Sequence, residues 1–156
     1  MTGHGDAAYG DFVRARRAIL GLSQRELAER AQVKQPTIAA IETGRREASA
    51  ATRTALDRAL DLRPSVALKA RREAVLEVLA AAGVARPRVF GSVARGDDVE
   101  SSDLDIMAEF GRDHDVMDLL ELEDELSTLL TVRTEIVDAR GAGAVLDHAR
   151  AESEPL

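Results

Sequence analysis

Apolar residues recur at helical spacing from the start of the chain. Phe12, Val13, Ala15, Ile19 and Leu20 are interleaved with Arg14, Arg16 and Arg17 and followed by Gly21, which predicts a helix over residues 9–20 with a glycine stop. Ser23 and Glu26 form a capping-box pattern, each side chain able to satisfy a backbone donor at a helix start, so a second helix is expected over 24–31. A third is expected over 35–43, its inward face drawn by Ile38 and Ile41, with Pro36 in the first turn and Gly44 at the end. Ala51, Ala55, Leu56, Ala59 and Leu60 predict a fourth over 49–60.

Beyond Arg63 and Pro64 the pattern changes, because proline disfavours helical geometry in the residue before it. Ser65 is placed to cap a long amphipathic helix over 66–82, built on Leu68, Val75, Leu76, Val78 and Leu79 and ended by Gly83. Strands are then expected over 86–90, 104–110 and 135–138, with Gly91-Ser92 as a turn after the first. Between the last two strands, Val116, Leu119, Leu120, Leu126, Leu129 and Leu130 restore the helical period over 115–130. Its polar face, Asp118, Glu121, Glu123, Asp124 and Glu125, reads as a solvated run of carboxylates. A glycine-rich turn and a frayed tail are expected after Asp138. The fold class this implies is two domains, an all-α bundle followed by a small α+β domain with a mixed sheet flanked by helices.

Charge sharpens the division. Residues 1–70 carry 12 Lys and Arg against 8 Asp and Glu, a net of +4, whereas residues 71–156 carry 9 against 20, a net of −11; together they make the overall −7. The first half can approach a polyanion and the second repels one. The longest apolar run, 78–85, is far shorter than the roughly 20 residues a bilayer requires, so no membrane contact is expected. With no secretory signal pattern and no cysteine, the expectation is a cytosolic chain without disulfides or thiolate metal sites. His4, His114 and His148 are too scattered to suggest a metal cluster and are expected at the surface.

The run LSQRELAERAQVKQPTIAAIETGRR, Leu22 to Arg46, resembles the Cro/repressor-type helix-turn-helix of the XRE family. The resemblance implies that the third helix enters the DNA major groove, with early side chains reaching base edges and flanking residues gripping phosphates. It makes Gln35, Thr37 and Lys34 the base readers and Gln24, Thr43, Arg45 and Arg46 the phosphate contacts. Ala39 and Ala40 stand where the family places polar side chains, so only Gln35 is equipped for bidentate readout, and specificity is expected to need an oligomer or DNA shape.

In the second half, Asp103 and Asp105 are two residues apart, so on an extended strand both carboxylates leave one face and can converge on a divalent cation that relieves their repulsion. Gly91-Ser92 after a strand allows close backbone approach to a phosphate, with N–H and hydroxyl donors, and Arg95 adds positive charge. Taken together, GSVARGDDVESSDLDIMAEF, Gly91 to Phe110, contains Gly-Ser, ten residues, then Asp-x-Asp. It resembles the signature of the DNA-polymerase-β-like nucleotidyltransferases, and most closely their minimal nucleotidyltransferase branch. That resemblance implies nucleotide binding by Gly91, Ser92 and Arg95, coordination of Mg²⁺ or Mn²⁺ by Asp103 and Asp105, ATP as substrate, and a third catalytic carboxylate on the next strand. The family usually has Asp there; here the aligned residue is Glu135, with Asp138 as the fallback. Strand parity favours Glu135, although its extra methylene can shift the carboxylate enough to weaken turnover.

Minimal nucleotidyltransferases resemble antitoxins that transfer AMP to HEPN-type ribonuclease toxins. A fused helix-turn-helix suits one that also represses its own operon through operator DNA. The expected organisation is a flexible N-terminus (1–8), a helix-turn-helix domain (9–63), a minimal nucleotidyltransferase domain (64–150) and a tail (151–156), assembled as a homo-oligomer or with the cognate toxin. The alternative is a transcription regulator whose nucleotidyltransferase domain is catalytically weak or inactive and only binds nucleotide or docks a partner.

Overall fold

A computed structural model describes residues 6–111 and 114–156. His4 and most of the expected flexible N-terminus lie outside them. The chain divides into two compact units, Met1–Leu62 and Arg63–Leu156.

The first unit holds four helices: α1 (Asp6–Ile19), α2 (Gln24–Ala31), α3 (Gln35–Glu42) and α4 (Ala50–Ala59). The capping box forms as the sequence requires, with Ser23 Oγ accepting from Glu26 N–H and Glu26 accepting from Ser23 N–H. Gln32 takes a left-handed conformation that turns the chain between α2 and α3. Tyr9, Val13, Leu27, Ala28, Ile38, Ile41, Leu56 and Leu60 form one buried cluster. Gly10 lets α1 and α3 approach, since a Cβ there would collide with the Ile41 carbonyl oxygen. The Tyr9 hydroxyl donates to Asp57 at 2.8 Å, and burial with this carboxylate raises its pKa well beyond the usual phenol range.

The second unit runs α5 (Pro64–Ala81), β1 (Ala85–Phe90), α6 (Gly91–Arg95), β2 (Leu104–Glu109), α7 (Val116–Leu130), β3 (Thr134–Asp138), α8 (Ala144–Glu152) and β4 (Glu154–Pro155). The sheet order is β3-β2-β1-β4; β1 pairs antiparallel with β2 and β4, and β2 pairs parallel with β3. This is a mixed four-stranded sheet flanked by helices. Register places Val89, Ile106 and Ile136 in one row across the strands, and all three are buried. With Val75 and Leu79 of α5 and Leu122, Leu126 and Leu130 of α7, they supply the apolar side of the unit.

Four local expectations are corrected. Ser65 does not cap α5: the helix begins at Pro64, and the buried Asp98 carboxylate accepts from Ser65 N–H at 2.9 Å, a cap supplied from 33 residues downstream. Gly91-Ser92 opens the short helix α6 rather than a simple turn. The acidic face of α7 is not wholly solvated, because Glu123 accepts from Ile136 N–H of β3 at 2.8 Å. The chain does not fray after the glycine-rich turn; α8 forms and β4 pairs with β1. Such pairing depends on β1 offering an open edge, which no local pattern encodes. Among the described residues no helix is long and apolar enough to cross a membrane.

Candidate functional site

The sheet row next to the buried one brings the candidate carboxylates together. Phe90, Asp105 and Glu135 are register partners across β1, β2 and β3, so Asp105 and Glu135 lie side by side on adjacent strands and share a face. Asp103 is not within the strand; it stands one residue before Leu104, whose N–H donates to the Arg133 carbonyl. Burial, followed by the charges of Glu135 and Asp103, pushes the Asp105 carboxyl above its ordinary pKa. β2 itself is buried on both faces at Ile106, Met107 and Ala108, and only Asp105 and Glu109 along it are half-buried.

The β1–α6 junction is built on Gly91. Its φ is +68°, and a Cβ would collide with Asp105 Oδ2, so only glycine allows the backbone to pass this close to the aspartate. Ser92 follows in the first turn of α6, and Arg95 closes the helix ahead of the left-handed Gly96. The junction thus brings Gly91 against Asp105, and the electrostatic reach of Arg95 extends to the same carboxylate. Asp138 is held apart at the end of β3, where ion pairing with Arg140 at 2.7 Å lowers its pKa.

Two residues beyond those expected from the sequence shape the site, and a third lies outside it. Arg133 donates to Glu135 Oε1 at 2.7 Å and lies 3.6 Å from Asp103 Oδ2, bridging two of the three carboxylates. Glu152, the last residue of α8, accepts from Gly91 N–H at 3.2 Å and from Arg95 Nη1 at 3.2 and 3.3 Å. Asp98 caps α5 as described. Arg133 adjoins the predicted third strand, and its proximity to Glu135 was a usable signal; nothing in the spacing of Glu152 pointed to a site 61 residues upstream.

A divalent cation suits the donor set in chemistry, since Asp103, Asp105 and Glu135 are hard oxygen ligands, and burial followed by the charges of Glu135 and Asp103 already raises Asp105. Their side chains are not drawn into a closed coordination shell: among the described residues no three such groups are placed to hold an ion. The Arg133 guanidinium takes the bridging place, with its side chain 72% exposed.

In the first unit, Lys34, Gln35, Thr43, Arg45 and Arg46 are exposed, while Gln24 and Thr37 are half-buried. Gln35 donates to Gln24 Oε1 at 2.8 Å, Gln24 donates to Glu42 at 2.9 Å, and the buried Glu42 is held by Arg17 Nε and Nη2 at 2.6 and 2.9 Å. The start of α3 is thereby tied to α1. Thr43 directs its hydroxyl proton to the Ala39 carbonyl at 2.7 Å.

A family model described as polymerase beta nucleotidyltransferase matches residues 76–155, and one described as helix-turn-helix matches residues 13–66. A Methanocaldococcus jannaschii protein named "Putative protein adenylyltransferase" is 36% identical over 63 residues, which are 40% of this chain and 68% of that one. The protein adenylyltransferase MntA of Thermococcus cleftensis is 40% identical over 55 residues, 35% of this chain and 56% of its own length. Other M. jannaschii relatives are matched over only 50 to 57% of their length. The chain therefore spans about half to two thirds of these curated relatives. A solved structure described as a "putative minimal nucleotidyltransferase" superposes with a TM-score of 0.53 at 43% identity, covering 59% of this chain and 95% of that one. The chain belongs to the polymerase-β nucleotidyltransferase family, with an XRE-type helix-turn-helix ahead of its nucleotidyltransferase unit.

Proposed function

We propose that the chain is an antitoxin that transfers AMP from ATP to a hydroxyl of a cognate toxin, a HEPN-type ribonuclease, and represses its own operon through the helix-turn-helix. The observation that carries this reading is the placement of Asp105 and Glu135 as register partners beside the Gly91–Arg95 junction. Protein adenylyltransferase names among the relatives support the choice of reaction.

In this reading Gly91 N–H, the Ser92 hydroxyl and Arg95 hold the triphosphate, and Glu135 takes the proton from the attacking hydroxyl. The hydroxyl oxygen bonds to the α-phosphorus, the α–β phosphoanhydride bond breaks, and pyrophosphate leaves. Mg²⁺ or Mn²⁺ at Asp103 and Asp105 would supply charge neutralisation and Lewis acidity. The −11 charge of residues 71–156 favours a protein acceptor over a nucleic-acid primer. Lys34, Gln35, Thr37, Gln24, Thr43, Arg45 and Arg46 form the DNA-facing set of the first unit, and assembly with the toxin or with a second copy would supply a second half-site.

Arg133 favours a second reading, a regulator that binds nucleotide without turning it over, because its guanidinium holds Asp103 and Glu135 where a cation is needed. Incubation with labelled ATP, Mg²⁺ and the product of the neighbouring gene separates the two. Label on the partner that disappears in the Asp103→Ala/Asp105→Ala variant is expected; an unlabelled partner, with ATP still bound, would establish the regulator instead.

A further inference from the structure

The geometry points to Glu152 as a resident competitor for the phosphate groups of the substrate, lowering nucleotide affinity by occupying their donors. This rests on the nucleotide-binding reading of Gly91 and Arg95 given above. Both donors are already engaged: Gly91 N–H reaches Glu152 Oε1 at 3.2 Å, and Arg95 Nη1 reaches both carboxylate oxygens at 3.2 and 3.3 Å. A carboxylate accepting a backbone N–H and a guanidinium has the chemistry of a phosphate oxygen at the same place.

The position of Glu152 is set by the fold around it. Its side chain is only 18% exposed. The next residue, Ser153, receives Arg88 Nε on its hydroxyl at 2.7 Å and Arg88 Nη2 on its carbonyl at 2.5 Å. Glu154 and Pro155 then pair with Val89 and Arg88, and Leu156 N–H donates to Pro87. The end of α8 is thus fastened to β1, the strand that delivers Gly91. A flexible tail could not hold a carboxylate over that junction.

Glu152 adds a carboxylate to a junction where Gly91 already lies against Asp105. Arriving phosphates would compete for the same two donors and add further negative charge, so Glu152 must release Arg95 before they settle. A protein whose binding-competent arrangement is only fractionally populated shows an apparent affinity reduced by that fraction. His148, one turn earlier on α8, already lies 3.7 Å from Glu152 Oε2 and offers the displaced carboxylate a partner.

Full-length wild type, Glu152→Gln and Glu152→Ala are titrated calorimetrically with ATP and, separately, with inorganic tripolyphosphate, each with Mg²⁺. Glu152→Gln is isosteric and keeps an acceptor for Gly91 N–H, and circular dichroism checks that both variants are folded. Both probes are expected to bind the variants roughly tenfold more tightly, the scale of one charge-assisted hydrogen bond. Adding Arg95→Ala to Glu152→Ala is expected to remove the gain. Folded variants that bind both probes no better than wild type would overturn the competition; if ATP binding to wild type is then lost in Asp103→Ala/Asp105→Ala, the nucleotide reading survives alone. Tighter tripolyphosphate binding with no ATP binding by any form would support the competition and sink the nucleotide reading. No binding of either probe to any form overturns both.

Discussion

Asp105 and Glu135 are direct partners in the parallel register of β2 and β3, two carboxylates on neighbouring strands with Arg133 bonded to the second at 2.7 Å. The sheet therefore holds like charges together and offsets part of their repulsion with an exposed guanidinium. Several measurements test what this arrangement is for.

Asp105 has its pKa raised by burial and by its acidic neighbours. A carboxyl raised in the folded state contributes stability below its unfolded pKa, and that contribution is lost as pH rises through the folded value. At neutral pH the charged Asp105 thus weakens the ion-free protein. Asp105→Asn is expected to raise Tm in EDTA by roughly 2–4 °C, after allowance for solvent screening of this partly exposed group. Addition of Mg²⁺ should stabilise wild type by mass action and leave the variant unmoved. A variant that melts lower in EDTA, or gains as much from Mg²⁺ as wild type, contradicts the assignment.

Glu135 is predicted to act as the base. Glu135→Gln should lower the rate of AMP transfer by about 10²–10⁴-fold with ATP affinity little changed, since a general base contributes on that scale. Arg133→Ala should leave transfer intact or raise it, because it frees both carboxylates. Loss of transfer in Arg133→Ala comparable to that in Glu135→Gln would show instead that the guanidinium is required.

Gly91→Ala places a Cβ against Asp105 Oδ2 at a φ of +68°. The strained backbone alone costs about 1–2 kcal/mol, and the clash adds to it. Thermal denaturation should show the loss in the second unit, and ATP binding should fall with it. A variant with wild-type melting and affinity would mean that the junction relaxes freely.

Glu42 is almost fully buried and receives Arg17 and Gln24. Glu42→Ala removes one partner of a largely desolvated pair and is expected to destabilise the first unit by about 3–5 kcal/mol, as chemical denaturation would read. It should also weaken DNA binding by releasing Gln24 and Gln35 from their fixed positions. Unchanged stability would place the pair among those of no net worth.

Arg45→Ala and Arg46→Ala should each weaken binding to the chain's own promoter across sequences and reduce the slope of log affinity against log salt by about 1, the signature of a lost phosphate contact. A change in sequence preference with an unaltered salt slope would assign these residues to base readout.

The helical half was legible because its signals are local. Ser23 and Glu26 close their capping box within one turn, and Ile38 and Ile41 mark the buried face of α3 by spacing alone. The close backbone approach at Gly91 and the place of Asp105 on a strand were legible for the same reason, whereas the short helix opened by Gly91-Ser92 and the position of Asp103 outside β2 were not. What could not be read were pairings between distant segments: Asp98 on Ser65, Glu123 on Ile136, Glu152 on Gly91. The expected frayed end went astray on this ground, since the polar residues near Glu152 carry no periodic signal strong enough to announce a helix and an edge strand.

By itself the sequence determined that two units exist, the four helices of the first, the main elements of the second as far as β3, and where charged and hydrogen-bond-donating residues fall along the chain; these follow from periodicity, capping and residue chemistry over a few positions. Only the tertiary structure decided that Asp105 faces Glu135, that Arg133 bridges Asp103 and Glu135, and that Glu152 lies on the donors of Gly91 and Arg95. Strand register is set by the burial of Val89, Ile106 and Ile136 in one row, and α8 is docked by the Arg88–Ser153 contacts and the pairing of β4 with β1, conditions met only when segments far apart in the chain are brought together.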